Sequence, residues 1–160
     1  MCLASLAVLA GCIGGPFGGQ DGPVTVAVNN SANVTYTFEV SVVEYPSTVT
    51  THFDDGRTGR VEIGPGGSTH SSGDNQTWTE VELPESARLH GRYTLEPGEQ
   101  VRTSIEEFST DSALVIVISL SEHEIVEWTS DHCDGDLNLV EVTMYNHGST
   151  TIFDCQGSWF

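Results

Sequence analysis

The chain has 160 residues, with 23 acidic side chains against 5 basic ones and a formal net charge of −18 at pH 7. A surface of that sign repels nucleic acid and anionic membranes, so neither is expected as a partner. Hydrophobic residues still make up 38% of the chain, too many for the intrinsic disorder that such acidity otherwise suggests.

The sequence opens on a short apolar run, Leu3–Ala10, that leads into Leu9-Ala10-Gly11-Cys12. Such a run falls well short of the ~20 residues of a membrane-spanning helix, but it fits the 7–15 of a signal-peptide core. Its last four residues resemble a lipobox, the ending after which a cysteine is lipidated and becomes the mature N-terminus. The resemblance implies a signal peptide over residues 1–11, a lipid on Cys12, and membrane lipid as the partner of that residue. No Lys or Arg precedes Leu3. Either Met1 lies inside a longer signal peptide, or the export reading fails. Gly14-Gly-Pro-Phe-Gly-Gly19 cannot continue a regular element, because Gly gives up backbone entropy and Pro removes a donor. It reads as a tether. Residues 12–22 are thus expected to be the lipidated cysteine and a flexible linker, and residues 23–160 one folded domain.

Strand patterns dominate that domain. Val24–Val28 alternates, and Val34–Glu44 repeats the pattern with Val34, Tyr36, Phe38, Val40 and Val42 on one face. The Asn-rich stretch between them reads as the turn of a β-hairpin. Further strands are expected at 60–63, 77–83, 92–95, 101–105, 113–120, 125–129, 137–145 and 150–155. Leu114-Val-Ile-Val-Ile118 is continuously apolar, the mark of a strand buried on both faces. Gly64–Gly73 reads as a loop, while Glu96–Glu99 and Asn146–Ser149 read as turns between strands. Ser104–Ser109 is the one stretch assigned a helical turn. Trp78 and Trp128 are expected in the core, and Trp159-Phe160 forms either a packed tail or an exposed contact. Many short strands with turn signals between them indicate an all-β fold, a single antiparallel β-sandwich.

Val24–Val42, together with Tyr93-Thr-Leu-Glu-Pro-Gly-Glu99 ahead of another strand, resembles an immunoglobulin-like or fibronectin-like sandwich. The antibody-type Cys…Trp…Cys spacing is absent, so the resemblance implies architecture and brings no functional residues. All five basic residues are Arg, at 57, 60, 88, 92 and 102, and there is no Lys. Self-repulsion on this scale is tolerable where salt screens it, since the Debye length falls to ~3 Å at molar ionic strength. High acidity without Lys resembles the proteins of halophilic archaea, whose small surface lipoproteins often carry such a sandwich.

With Cys2 in the signal peptide and Cys12 lipidated, Cys133 and Cys155 remain. They form an even pair, suited to a disulfide in an exported protein; the alternative is two free thiols. Asn29, Asn33 and Asn75 each begin an Asn-x-Ser/Thr tripeptide and are candidate glycosylation sites.

Tests for chemistry give little. A blue-copper site needs two His, a Cys thiolate and a weak axial ligand. Here Cys133 is followed by Met144 and then His147, in the wrong order. That copper-binding, cupredoxin-like alternative is therefore the minor one. Asp131–Asp136 resembles a cation loop but misses the EF-hand pattern and reads as a polar turn. No Cys-x₂₋₄-Cys or His-x₃₋₅-His zinc pair exists. No Gly-x-Ser-x-Gly elbow marks a nucleophile. No catalytic residue, metal or cofactor is expected. The function expected is that of a binding or structural module, with a surface protein or a small-molecule ligand as partner.

Overall fold

The computed structural model describes residues 22–73 and 76–156, which contain strands and no helix. The expected signal peptide 1–11 and all of the expected linker 12–22 but Gly22, with Cys12, Asn75 and Trp159-Phe160, lie outside the described residues. Twelve strands follow one another: β1 (Gly22–Asn30), β2 (Tyr36–Glu44), β3 (Thr48–Phe53), β4 (Thr58–Glu62), β5 (Gly66–Ser71), β6 (Trp78–Glu82), β7 (Arg88–Leu95), β8 (Gln100–Phe108), β9 (Ser112–Ser121), β10 (Glu124–His132), β11 (Asp136–Tyr145) and β12 (Gly148–Gln156). They form two sheets, one ordered β12-β11-β1-β8 and the other β4-β3-β6-β10-β9-β2-β7, with β5 also pairing β10. The architecture is an all-β sandwich.

β9 explains how the layers stack. Its alternation sends Leu114, Ile116 and Ile118 into the core between the two sheets, where they meet Val24, Val26 and Val28 of β1 and Val140 and Val142 of β11. Ala113, Val115 and Val117 face the other way, into a second core with Val49, Trp78 and Trp128. The continuous apolar run is therefore buried on both faces, as its sequence suggests. The second core exists because the β3–β4–β6 arm covers the outer face of β9 and β10. β6 joins β10 only at Ile125–Trp78, whereas β5 takes the rest of that edge, from Glu127 to His132.

Four sequence expectations need correction. β1 and β2 do not form a hairpin: β1 pairs with β11 and β8, and β2 with β7 and β9 in the other sheet. The Asn-rich segment instead carries the chain from one sheet to the other. There Asn30, 1% exposed, donates from Nδ2 to the carbonyls of Val34 and Leu95. Val34 precedes β2 and is exposed rather than sharing the buried face. Ser104–Ser109 makes no helical turn, because β8 runs through Phe108 and places Ile105 and Phe108 in the core. Gly64–Gly73 is not simply a loop, since it contains β5. The expected turns at Glu96–Glu99 and Asn146–Ser149 are present, each with a glycine at positive φ (Gly98 at 87°, Gly148 at 128°).

Candidate functional site

The feature richest in chemistry is the edge of the sandwich where β5, β10 and β12 meet. β5 (Gly66-Gly-Ser-Thr-His-Ser71) has no aliphatic or aromatic hydrocarbon side chain to bury, and holds its place by pairing along β10. In that register Glu127 lies beside Ser71, Thr129 beside Thr69, and Asp131 beside Gly67. Gly67 is required for the close fit. A Cβ there would come within 2.7 Å of Phe153 Cδ1 and 2.8 Å of Asp131 Oδ1.

β12 closes the same positions from the opposite sheet. Ser149 Oγ donates to Glu127 Oε1. Thr69 Oγ1 donates to Thr151 Oγ1 at 3.4 Å. The Phe153 ring lies over Gly67, next to Asp131. Cys155 is disulfide-bonded to Cys133, with the Cα atoms 5.8 Å apart. Glu127 and Ser149 are 22 residues apart, as are the two cysteines. β10 and β12 therefore run side by side in the same direction across this edge. The result is a seam of four steps: a carboxyl between two serines, a set of threonines, a carboxyl under an aromatic ring, and a disulfide.

The two carboxyls sit in different surroundings. Glu127 is 3% exposed, and burial raises its pKa against the opposing pull of hydroxyls donated by Ser149 and Ser71. Ser71 Oγ reaches Glu127 Oε2 at 3.2 Å, so both oxygens have a donor. Asp131 is fully buried, and its Oδ1 has no hydrogen-bond partner. Its Oδ2 has a single neighbour, Thr129 Oγ1 at 3.5 Å. A hydroxyl has one proton, and Thr129 points its own at the Ser68 carbonyl, 3.1 Å away. The donation of Thr129 to Asp131 at 3.5 Å is therefore a long, shared one, and leaves the buried carboxyl poorly compensated. Burial pushes the Asp131 pKa up to about 7 against the opposing pull of the Thr129 hydroxyl.

The other face of β10 is aromatic. His70 stacks on Trp128 with centroids 4.2 Å apart, and Tyr45 stacks on His132 at 3.4 Å. Ser68 Oγ and His70 Nε2 share a 2.8 Å hydrogen bond, and burial lowers the His70 pKa, which favours the neutral ring. This places a hydroxyl beside a base. Among the hydrogen bonds of the described residues, none orients His70 from Nδ1, so a triad is not assembled. His132 Nδ1 donates to the Ser112 carbonyl at 2.9 Å, and its Nε2 lies 3.8 Å from Asp134.

Comparison with known proteins adds little. No family model matches the chain, and no curated protein does. Two solved structures align over 84% of it, both at 6% identity. One is a disulfide-locked mutant of intermedilysin with human CD59, at a TM-score of 0.37. The other is the human-specific toxin intermedilysin itself, at 0.34. The chain spans only 24% of either toxin chain, and no inference is built on the likeness.

The remaining candidates scatter. His147 sits exposed in the β11–β12 turn, the length of ten-residue β11 away from His132; at ~3.3 Å per residue that separation is about 30 Å. His52 faces Glu82 on the β3–β4–β6 arm, His90 bonds Thr103 on the far edge, and His123 is exposed between β9 and β10. Among the described residues no three His, Cys, Asp or Glu side chains gather as a metal site would require. Asp131 and His132 belong to β10 and are buried, so the polar turn begins only after them. Asn29 lies within β1, its amide donating to Thr143 Oγ1 at 3.1 Å and Glu141 Oε1 at 3.4 Å. Asn33 is exposed on the connection between the sheets.

Sequence reading missed the seam for two reasons. β5 carries no apolar alternation to find. Glu127, Thr129 and Asp131 do recur with period two, but polar residues at that spacing normally mark a solvated face.

Proposed function

We propose that the chain is a membrane-anchored, extracytoplasmic β-sandwich lipoprotein of a halophilic archaeon, acting as a binding or structural module without catalytic activity. The Cys133–Cys155 bond is the observation that carries this reading, because such bonds persist in oxidising compartments and are rare in the cytosol. It agrees with the Leu9–Cys12 lipobox at the sequence level. We further read the sandwich as immunoglobulin-like, supported by the sheet-crossing connections between β1 and β2 and between β7 and β8. The copper alternative has no such support, since both cysteines are consumed by the disulfide and offer no thiolate. Among the openings that a partner could use is a groove of about 350 Å³ on the far edge, lined by Val42, Arg88, Leu89 and Ile105 among others.

The anchor is tested by feeding cells a clickable lipid precursor and comparing wild type with Cys12→Ser. Label is expected on the wild-type protein and not on the variant. Equal labelling of the two overturns the proposal.

A further inference from the structure

The seam holds two buried carboxyls with no cation to neutralise them. Asp131 faces none of the five arginines within ion-pair distance, and the side chains packed around it carry no positive charge. On its own strand the titratable neighbours are Glu127 on the same face and His132 on the opposite one. β5 contributes Gly67, Thr69 and Ser71 to the seam, while His70 turns away onto Trp128. β9 offers Leu114 at the paired position. β12 offers Phe153, with Asp154 on the opposite face, and beyond Cys133 come exposed Asp134 and half-buried Asp136. Every charge that could approach Asp131 is thus negative or faces elsewhere.

We propose that Asp131 is a proton-operated latch: the seam closes over the neutral acid and opens over the carboxylate, lifting Phe153 and β12 away from Gly67. Three features of the geometry carry this. The sole hydrogen bond to the Asp131 carboxyl among the described residues is a long one from Thr129 at 3.5 Å, whose proton is shared with the Ser68 carbonyl. Its second oxygen has no partner, which a neutral acid tolerates far better than a carboxylate. The part of β12 that covers it is a sheet edge, paired only with β11 and tied to the larger sheet by side chains and the disulfide alone. Such an edge can separate locally without unfolding either core. The disulfide limits the travel of β12, so the opening is small and reversible.

Backbone amide exchange at Thr151, Phe153 and Cys155 tests the latch in the full chain between pH 5 and pH 7. The intrinsic base-catalysed rate is measured on a peptide and divided out. Opening linked to one proton adds a further rise of more than ~10-fold over that interval. Asp131→Asn keeps the shape and removes the titrating group, so its corrected exchange is expected to rise far less than that of the wild type, with Glu127 alone left to titrate in the seam. The Asp131 carboxyl carbon, followed by NMR in the wild-type protein, is expected to titrate near neutrality. Corrected exchange that is flat in the wild type, or that rises equally in both proteins, overturns the latch. So does a wild-type carboxyl that has already titrated below pH 5, a reading that stands even if the variant does not fold.

Discussion

Asp131 and His70 lie within one strand pairing of each other, yet acidity acts on them with opposite sign. The carboxyl has its folded pKa raised from 3.8 to about 7, so it contributes stability in full below its unfolded value. That contribution is lost as pH rises through neutrality. At ~1.36 kcal/mol per pH unit the loss amounts to roughly 4 kcal/mol by pH 8. Glu127, also raised, adds to it in the same direction. His70 is shifted down, so the unfolded chain takes its proton first, and stability falls as pH drops below the ordinary imidazole range. Urea unfolding of Asp131→Asn is therefore expected to show a midpoint above wild type at pH 8 and similar to it at pH 4. A variant less stable than wild type at pH 8 would show that Asp131 is needed as a charge.

At the scale of the element, β12 is an edge strand that reaches the larger sheet through side chains and one disulfide. It pairs with β11 alone, exposes Ile152 and Phe153, and has its C-terminal end tied across the edge by one covalent bond. A loop closed over 22 residues contributes about 3 kcal/mol in the chain-entropy picture. Cys133→Ser with Cys155→Ser is expected to cost about that much in thermal or urea unfolding while leaving both cores folded. Loss of the whole fold would mean that the bond holds more than the edge.

How far each element could be read from sequence follows from what gives it its place. β9 was legible because its burial on two faces is written in Leu114–Ile118 itself. β11, β12 and the turn between them were legible because neighbouring strands with a Gly-containing connection pair locally. β1 and β2 were misread because the same local signals, Asn-rich and flanked by alternation, serve equally for a turn and for a crossing between sheets. What separates the two outcomes is the partner of β1, and that partner is β11, more than a hundred residues further along the chain. β5 was invisible because its stability comes from the edge of β10, not from any side chain of its own. The two cysteines were legible as a pair; the seam that they end was not.

The whole molecule is dominated by charge. The three arginine ion pairs among the described residues, Arg57–Asp55, Arg92–Glu39 and Arg102–Glu141, are exposed and offset little of a net charge of −18. Folding concentrates that charge around two small cores, so self-repulsion works against the compact state. Raising KCl from 0.1 M to 2 M shortens the Debye length from ~10 Å toward ~3 Å or less, and the melting temperature is expected to climb with it. A melting temperature that falls across that range would remove the ground for reading the acidity as salt adaptation.

The position of β1 bears on what happens when the chain is pulled. β1 is the first described strand, and it lies between β11, to which it is parallel, and β8, to which it is antiparallel. Tension applied ahead of Gly22 runs along the axis of β1 and across its hydrogen bonds, which stand perpendicular to that axis toward β8 and slanted to it toward β11. Those bonds are then loaded in shear, all together on both sides, instead of being peeled one after another as they would be on an edge strand. Attachment at this end thus pulls on a strand held on both sides and not on an edge.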